Sequence, residues 1–318
     1  MQKKYAVVTI AVGKNYYLNL AKNLLCSFLK WNKNNEIYFL LVTDNRLFFS
    51  EFFNINKVEI KNIAVNDDDR SFTSKFLLFD HIDAQENLFI DCDCIIYGDL
   101  TPTFNQFKLQ DFSAIGTKIV KGSFFCDVEK MITKLNLNYL PKFVGSIYYF
   151  KNNDTAKAIF ALAKKLKSQY DELGFIRLRG KENEEPLFAC AMSSFKQQPI
   201  ADDGLIKADA MFFDQFNCNV LAGKAELRNK NLADNGHNTP KISNPVIVHY
   251  NDRYTEMPDY LAEQFRLQTR LPKSASNIIV QFRYRLPSFL TTTFKDVFRS
   301  FYHQLLGPSK IKEIKRMD

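Results

Sequence analysis

At 318 residues, with 46% hydrophobic and 25% charged side chains, the chain can bury a full core, and its composition excludes a disordered or collagen-like protein. The formal net charge is +8, but nine Lys/Arg against three Asp/Glu fall between Lys273 and Asp318, so the first 272 residues carry only +2. A basic nucleic-acid-binding body is thereby excluded, and no run of about 18 uncharged apolar residues argues for a membrane-spanning helix.

The stretch "YAVVTIAV" from Tyr5 reads as a buried strand. The basic residues before it mimic a signal peptide, but the apolar stretch is short and lacks a small-residue cleavage pattern. "LNLAKNLLCSFLKWN" has helical spacing. "EIYFLLVTD" and "KVEIKNIAV" are the second and third strands, "SKFLLFDHI" a helix, "NLFIDCDCII" the fourth strand and "DFSAIGT" the fifth. This β-α-β rhythm predicts an α/β fold with a largely parallel sheet. Ligands of such sheets gather beyond the carboxyl ends of the strands, where Asp44 and Asp91 stand. Residues 118–142 are less regular and read as a mobile or acceptor-facing insertion. "FVGSIYYFKN" is strand-like. "DTAKAIFALAKKLKSQY" is a helix with Asp154 as N-cap, and "NEEPLFACAMSSF" is a helix with Pro186 in its first turn. "PVIVHYND" is a late buried strand ending in a histidine.

After Asp252 the character changes, which predicts a body over 1–252 and a helical extension over 253–318. "MPDYLAEQFRLQTR" is amphipathic. Further on, Phe289, Phe294, Val297, Phe298, Phe301 and Leu305 fall near one helical face beside Lys295 and Arg299. That pattern fits a basic helix lying on a membrane, or equally a helix packed on its own domain or a partner subunit. The six cysteines form no C-x-x-C pair, so reduced thiols of a cytoplasmic protein are expected, with Cys92 and Cys94 as small core residues.

The chemistry concentrates in "NLFIDCDCIIYGDL". Side chains two apart on a strand point the same way, so Asp91 and Asp93 converge. Burying two such carboxylates unpaired costs several kcal/mol, a penalty that a hard divalent cation removes. Such a cation also holds a diphosphate and takes up its charge as it leaves. The plain alternative is a pair of solvated turn aspartates.

The longer stretch "ENLFIDCDCIIYGDLTPTF" resembles the D-x-D segment of GT-A glycosyltransferases, in particular the family 8-like group that includes bacterial galactosyltransferases and glycogenin. The resemblance runs over roughly residues 5 to 250. It implies a GT-A (Rossmann-like) nucleotide-diphospho-sugar transferase fold with a mixed, mostly parallel central sheet and a helical C-terminal tail. It implies Asp91 on metal or ribose, Asp93 on the metal and His249 as a third ligand, with Mn2+ (or Mg2+) as the ion. Lys75, with Arg70 as its substitute, would touch the donor. Asn15 and Tyr16 would form the base loop, with Tyr16 stacked on the uracil of a UDP-sugar. Gly145 and Ser146 would permit close approach of the sugar. Glu184 and Glu185, at an acidic helix start, would bind its hydroxyls or deprotonate the acceptor.

Three departures mark a divergent relative. Val12 and Gly13 replace the acidic residue of the base loop, and Val144 replaces an asparagine. After His249 the chain reads "YNDRYTEMP", without the glycine and lysine that hold the diphosphate, and Arg253 is the nearest cation. The resemblance implies retention of anomeric configuration, while the Glu184–Glu185 pair leaves inversion open. The expected activity is metal-dependent sugar transfer to a saccharide or lipid-linked acceptor in bacterial surface glycan synthesis. The expected location is the cytoplasm, peripheral to the inner face of the membrane. Two other readings stand beside it. One is a catalytically inactive GT-A scaffold. The other is a haloacid-dehalogenase-like phosphatase with Asp91 as nucleophile and Asp93 as acid/base, disfavoured because the motif follows three strands instead of lying on the first.

Overall fold

In the computed structural model, residues 3–66, 70–229, 240–269 and 271–287 are described. They divide into two compact units, one through Thr255 and one from Glu256.

The first unit opens with β1 (Tyr5–Ala11), α1 (Asn15–Asn32), β2 (Ile37–Thr43) and β3 (Val58–Asn62). β4 (Glu86–Ile90) and β5 (Cys94–Ile96) follow, then α2 (Thr101–Phe107), β6 (Phe112–Ile119), α3 (Val128–Leu135) and β7 (Leu140–Lys151). Next come α4 (Asp154–Lys167), α5 (Tyr170–Leu173), α6 (Glu184–Ser194) and β8 (Lys207–Asp209). β9 (Gln215–Asn219), β10 (Lys224–Arg228), β11 (Ile242–Ser243) and β12 (Ile247–His249) complete it. The main sheet has the order β3-β2-β1-β4-β7-β6. Its first four strands are parallel, and β7 runs antiparallel between β4 and β6. β1, β2 and β4 are near-continuous apolar runs because helices or loops cover both faces of the sheet. A mixed, mostly parallel α/β fold is therefore observed, as the β-α-β rhythm predicts.

Two three-stranded sheets, β5-β12-β8 and β9-β10-β11, complete the unit. In the former, His249 lies opposite Cys94 on β5 and opposite Asp209 on β8. An aromatic core fixes α6 on the main sheet. The Phe188 ring lies 5.1 Å from Phe112, 5.0 Å from Tyr148, 5.1 Å from Phe160 and 5.0 Å from Phe76. Each such pair adds about 0.5–1.5 kcal/mol beyond its area burial, so the start of α6 is held rigidly over the ends of β4 and β7.

Phe72–His81 is helical as expected, in 3-10 form. Several local expectations are corrected. Asp154 does not cap α4; Asn153 does, accepting from Ala156 N at 2.9 Å. Residues 118–142 hold the end of β6, the well-capped α3 and the start of β7, so they are ordered elements. "NLFIDCDCII" is not one strand. β4 stops at Ile90, the chain turns through Asp91–Cys94, and β5 resumes at Cys94.

The second unit contains α7 (Pro258–Gln268) and α8 (Lys273–Val280). Arg266 joins them: it pairs with Glu263 and its Nε donates to Asn277 Oδ1 at 3.2 Å. The amphipathic segment from Phe289 to Leu305 lies outside the described residues. Among those described, no helix is long and apolar enough to cross a membrane. No disulfide joins the six cysteines, and Cys92 and Cys94 are buried.

Candidate functional site

The site grows from the turn after β4. Cys94 N donates to Asp91 O at 3.0 Å, closing the turn. Asp91 N donates to Ser146 O at 2.9 Å, and Tyr250 N donates to Asp93 O at 3.0 Å. The two aspartates are thus pinned to β7 and to the residue after β12. They converge because the backbone reverses between them, not because they alternate along a strand. With His249 they form a cluster whose ligand atoms all lie within 4.8 Å of one another.

The cluster lines a cleft of about 780 Å³ at the carboxyl ends of β1 and β4. The cleft brings together Tyr16, Lys75, Asp91, Asp93, Gly145, Ser146, Glu184, Glu185 and His249. Asn15, Asp44 and Arg253 are not among its lining. Arg70 lines it, 3.5 Å from Asp44, whose carboxylate also accepts from Gly13 N. Tyr17, Arg179, Lys181, Lys142 and Phe125 line it as well.

Lys75 is 6% exposed. Its ammonium donates to Glu184 Oε1 at 2.6 Å, Gly145 O at 2.8 Å and Asp91 Oδ2 at 3.0 Å. An ammonium has three protons, so this set saturates it. Burial alone would lower its pKa, but Asp91 and Glu184 outweigh burial and hold it well above the usual range. Lys75 therefore clamps two carboxylates and a strand carbonyl and has no proton left for a ligand. Burial raises the Glu184 pKa, Lys75 opposing it. Burial and the neighbouring Glu184 push Glu185 up to about 7, with the Gly145 N–H bond, 2.7 Å to Glu185 Oε1, acting against them.

Gly145 has a reason beyond sugar approach. A Cβ there would come within 2.5 Å of the Tyr148 hydroxyl and 2.6 Å of Glu184 Oε1. Gly145→Ala is expected to lower stability by about 1–3 kcal/mol, the usual range for overpacking, in urea denaturation. Ser146 is fully buried, and its hydroxyl donates to Asp209 Oδ1 at 3.1 Å, so that side chain faces inward. Tyr16 bonds Thr255 Oγ1 at 2.5 Å and is 42% exposed.

Asp209 was not visible in the sequence. It lies 2.8 Å from His249 Nδ1 and 3.0 Å from Lys207 Nζ, with both side chains buried. Burial would raise its pKa, but Lys207 and His249 more than offset this and hold it well below the usual carboxylate range. Its bond fixes Nδ1 and leaves Nε2 facing Asp93 Oδ1 at 3.2 Å, the orientation a ligating imidazole needs. The alternating "KAD" was the only available signal, and it is too common to notice.

The donor set fits a divalent ion: two carboxylates and one imidazole nitrogen. Asp93 Oδ1 is buried yet has no hydrogen bond, since the His249 contact lacks hydrogen-bond geometry. Burial would lower the His249 pKa, but Asp93 and Asp209 raise it to about 10. Burial raises Asp91, Lys75 opposing, whereas Asp93 is lowered by His249 against burial. A protonated imidazole thus stands where a cation would neutralise the same oxygens.

Among the described non-glycine residues with positive φ, Asn136 and Lys196 end helices. The other three, Phe125, Arg179 and Asp252, all line the cleft. Each costs of order 1–3 kcal/mol, and a phenylalanine there is an outlier. Arg179 and Gly180 form a tight two-residue hairpin, with Leu178 and Lys181 exchanging bonds of 2.8 and 2.9 Å. Arg179 Nη2 pairs with Asp252 Oδ2 at 2.5 Å.

No family model matches the sequence, and no curated protein matches it. Solved structures do share the fold. One is the galactosyltransferase LgtC in complex with donor and acceptor sugar analogs: TM-score 0.54, 12% identity, covering 85% of this chain and 98% of that one. Another is the bifunctional glycosyltransferase WbbM: TM-score 0.55, 13% identity, covering 86% of this chain and 50% of that one. The glycosyltransferase GlyE of Streptococcus pneumoniae TIGR4 gives TM-score 0.41 at 16% identity, covering 63% of this chain and 45% of that one. The chain thus spans about half the length of WbbM and GlyE. At these identities the likeness to LgtC and WbbM establishes the fold alone: a GT-A type sheet shared with glycosyltransferases.

Proposed function

We propose that this chain is a glycosyltransferase that moves a sugar from a nucleotide-sugar, a UDP-sugar by resemblance, to a saccharide or lipid-linked acceptor. The observation that carries the reading is the Asp91–Asp93–His249 cluster at the end of β4, inside a cleft large enough for a nucleotide-sugar. Asp91, Asp93 and His249 would hold Mn2+ or Mg2+. When bound, that ion supplies a positive charge that grips the diphosphate and stabilises its departure.

The chain's own residues do the rest. In transfer, the bond from sugar C1 to the diphosphate oxygen breaks, with its electron pair leaving on the diphosphate. A bond from C1 to an acceptor oxygen forms, and the acceptor hydroxyl gives up its proton. Glu184, locked on Lys75, is a fixed negative group beside the sugar. Glu185, with its pKa about 7, is the group we assign to hold or accept a proton near the acceptor. Turnover is then expected to rise about tenfold per pH unit below about pH 7 and to level off above it, because only the ionised carboxylate accepts a proton. A pH–rate profile checks this, and Glu185→Gln should flatten it. The resemblance implies retention, whereas a carboxylate base that takes the acceptor proton implies inversion; an NMR assay of the product anomer distinguishes the two.

Tyr16 is the proposed platform for the base, and Gly145 with Ser146 the strand segment under the sugar. Lys75 is reassigned from donor contact to positioning, since its three protons are taken. Catalysis is proposed for residues 1–252 and lipid contact for the 253–318 extension, which would place the protein on the inner face of a membrane. A thermal-shift screen of nucleotide-sugars with and without Mn2+ tests the core claim, because a ligand that binds only the folded state stabilises it. Stabilisation by a UDP-sugar only when Mn2+ is present is expected. No response to any nucleotide-sugar would overturn the reading, and binding without turnover on any acceptor would favour an inactive scaffold.

A further inference from the structure

We propose that the outer wall of the cleft, formed by Phe125, Lys142 and Lys181, is an acceptor subsite for a sugar that carries an anionic group. The proposal rests on the transferase reading above and names the substrate class of its second half-site.

Three observations meet here. The first is charge. Among the cleft's cations, Lys75 is saturated by Asp91 and Glu184, Arg70 faces Asp44, and Arg179 pairs with Asp252. Lys142 and Lys181 also line the cleft, and among the described residues neither ammonium has an ion-pair or hydrogen-bond partner. The second is distance. Ser146, whose carbonyl binds the Asp91 N–H, is four residues from Lys142 on β7. At ~3.3 Å per residue, Lys142 stands about 13 Å further out along the strand. β4 has already ended there, at Ile90 opposite Ile147, so Lys142 lies along the strand past the Asp91 turn and past Gly145, which Glu185 holds. A diphosphate held at Asp91 and Asp93 leaves this charge unused, and a second sugar beyond the transferred one would reach it.

The third is the strained ring. Phe125 has φ +52°, a conformation that an aromatic residue rarely adopts. Its loop is braced on both sides: Val128 N bonds Gly122 O at 3.0 Å, and Ile176 N bonds Phe125 O at 2.7 Å. The bracing holds a half-buried phenyl ring against the cleft. An apolar ring and two unpaired cations lining one cleft match a pyranose, whose C–H face would stack on the ring while a carboxylate or phosphate meets the ammonium groups.

The test uses the full chain with Mn2+ and the nucleotide-sugar found by thermal shift. Three matched probes are titrated by NMR: methyl glucoside, methyl glucuronide and methyl glucoside 6-phosphate. Either anionic probe should bind at least tenfold more tightly than the neutral one, and which of the two does so separates carboxylate from phosphate. The double variant Lys142→Ala/Lys181→Ala should lose that preference while its nucleotide-sugar stabilisation stays unchanged. Equal binding of all three probes, or no binding of any, would overturn the proposal. Weakened nucleotide-sugar binding in the double variant would also overturn it by assigning the lysines to the donor. If no nucleotide-sugar stabilises the protein, the transferase reading fails. The three probes are then titrated without it, and a persisting anionic preference that the double variant abolishes keeps the anion site.

Discussion

Asp93→Ala is expected to abolish the response to divalent cations while leaving the fold intact. The carboxylate contributes one of three ligand groups, and its Oδ1 has no hydrogen bond to lose. Its removal also relieves the repulsion with Asp91, which adds to the raised pKa of that residue. His249 keeps its Asp209 partner at 2.8 Å, and the backbone bond from Tyr250 N to residue 93 O does not depend on the side chain. In the absence of cation, the variant loses the 3.2 Å ionic contact with His249, partly offset by the relieved repulsion, so it should stay folded but melt below the parent. A cation present at a hundred times its Kd stabilises the parent by about 2.7 kcal/mol, and a hundredfold loss of affinity cuts that to about 0.4 kcal/mol. Thermal shift with Mn2+ measures the difference, and donor turnover should vanish with it. A variant that retains the full Mn2+ shift would remove Asp93 from the metal site.

Lys75→Met is expected to destabilise the protein by about 3–5 kcal/mol, the usual cost of stripping one partner from a buried ion pair. Methionine keeps the apolar stem beside the rings of Phe89 and Tyr148, which lie 5.2 and 5.7 Å from the ammonium. The loss is thus electrostatic. Glu184, 1% exposed, would keep a charge with no cation beside it. Its pKa is already raised by burial, and losing the opposing lysine raises it further. The folded form then binds a proton that the unfolded form releases, so stability falls as pH rises from the ordinary carboxylate value through the elevated one. Urea denaturation should find Lys75→Met close to parental stability at the acid end of that window and most impaired above it. A variant equally stable at all pH values would show that the clamp is not electrostatic.

The legible part of this protein was its periodicity. The runs at Tyr5–Ala11, Ile37–Thr43 and Glu86–Ile90 are apolar on both faces, and that alone signals a covered parallel sheet. The Asp91–Asp93 pair was visible because carboxylates behind a buried run carry a cost that demands a reason, and the late histidine joined it only through the resemblance. The resemblance then supplied Glu184, Glu185, Lys75 and Gly145 as positions, and all of them reach one cleft. Their contacts were not legible. Lys75 carries no mark in the sequence that it lies against Glu184, 109 residues away.

What the chain order determined, then, is a set of elements and a short list of polar residues at their ends, because burial and hydrogen bonding along the backbone are local properties. What only the tertiary structure decided is pairing. The anchoring of the Asp91 turn to β7 depends on the Ser146 carbonyl, and the orientation of His249 on Asp209. The saturation of Lys75 depends on the docking of α6 by a cluster of rings. Each is a contact between segments far apart in sequence, where distance and dielectric, not residue type, set whether a charge is free to meet a ligand.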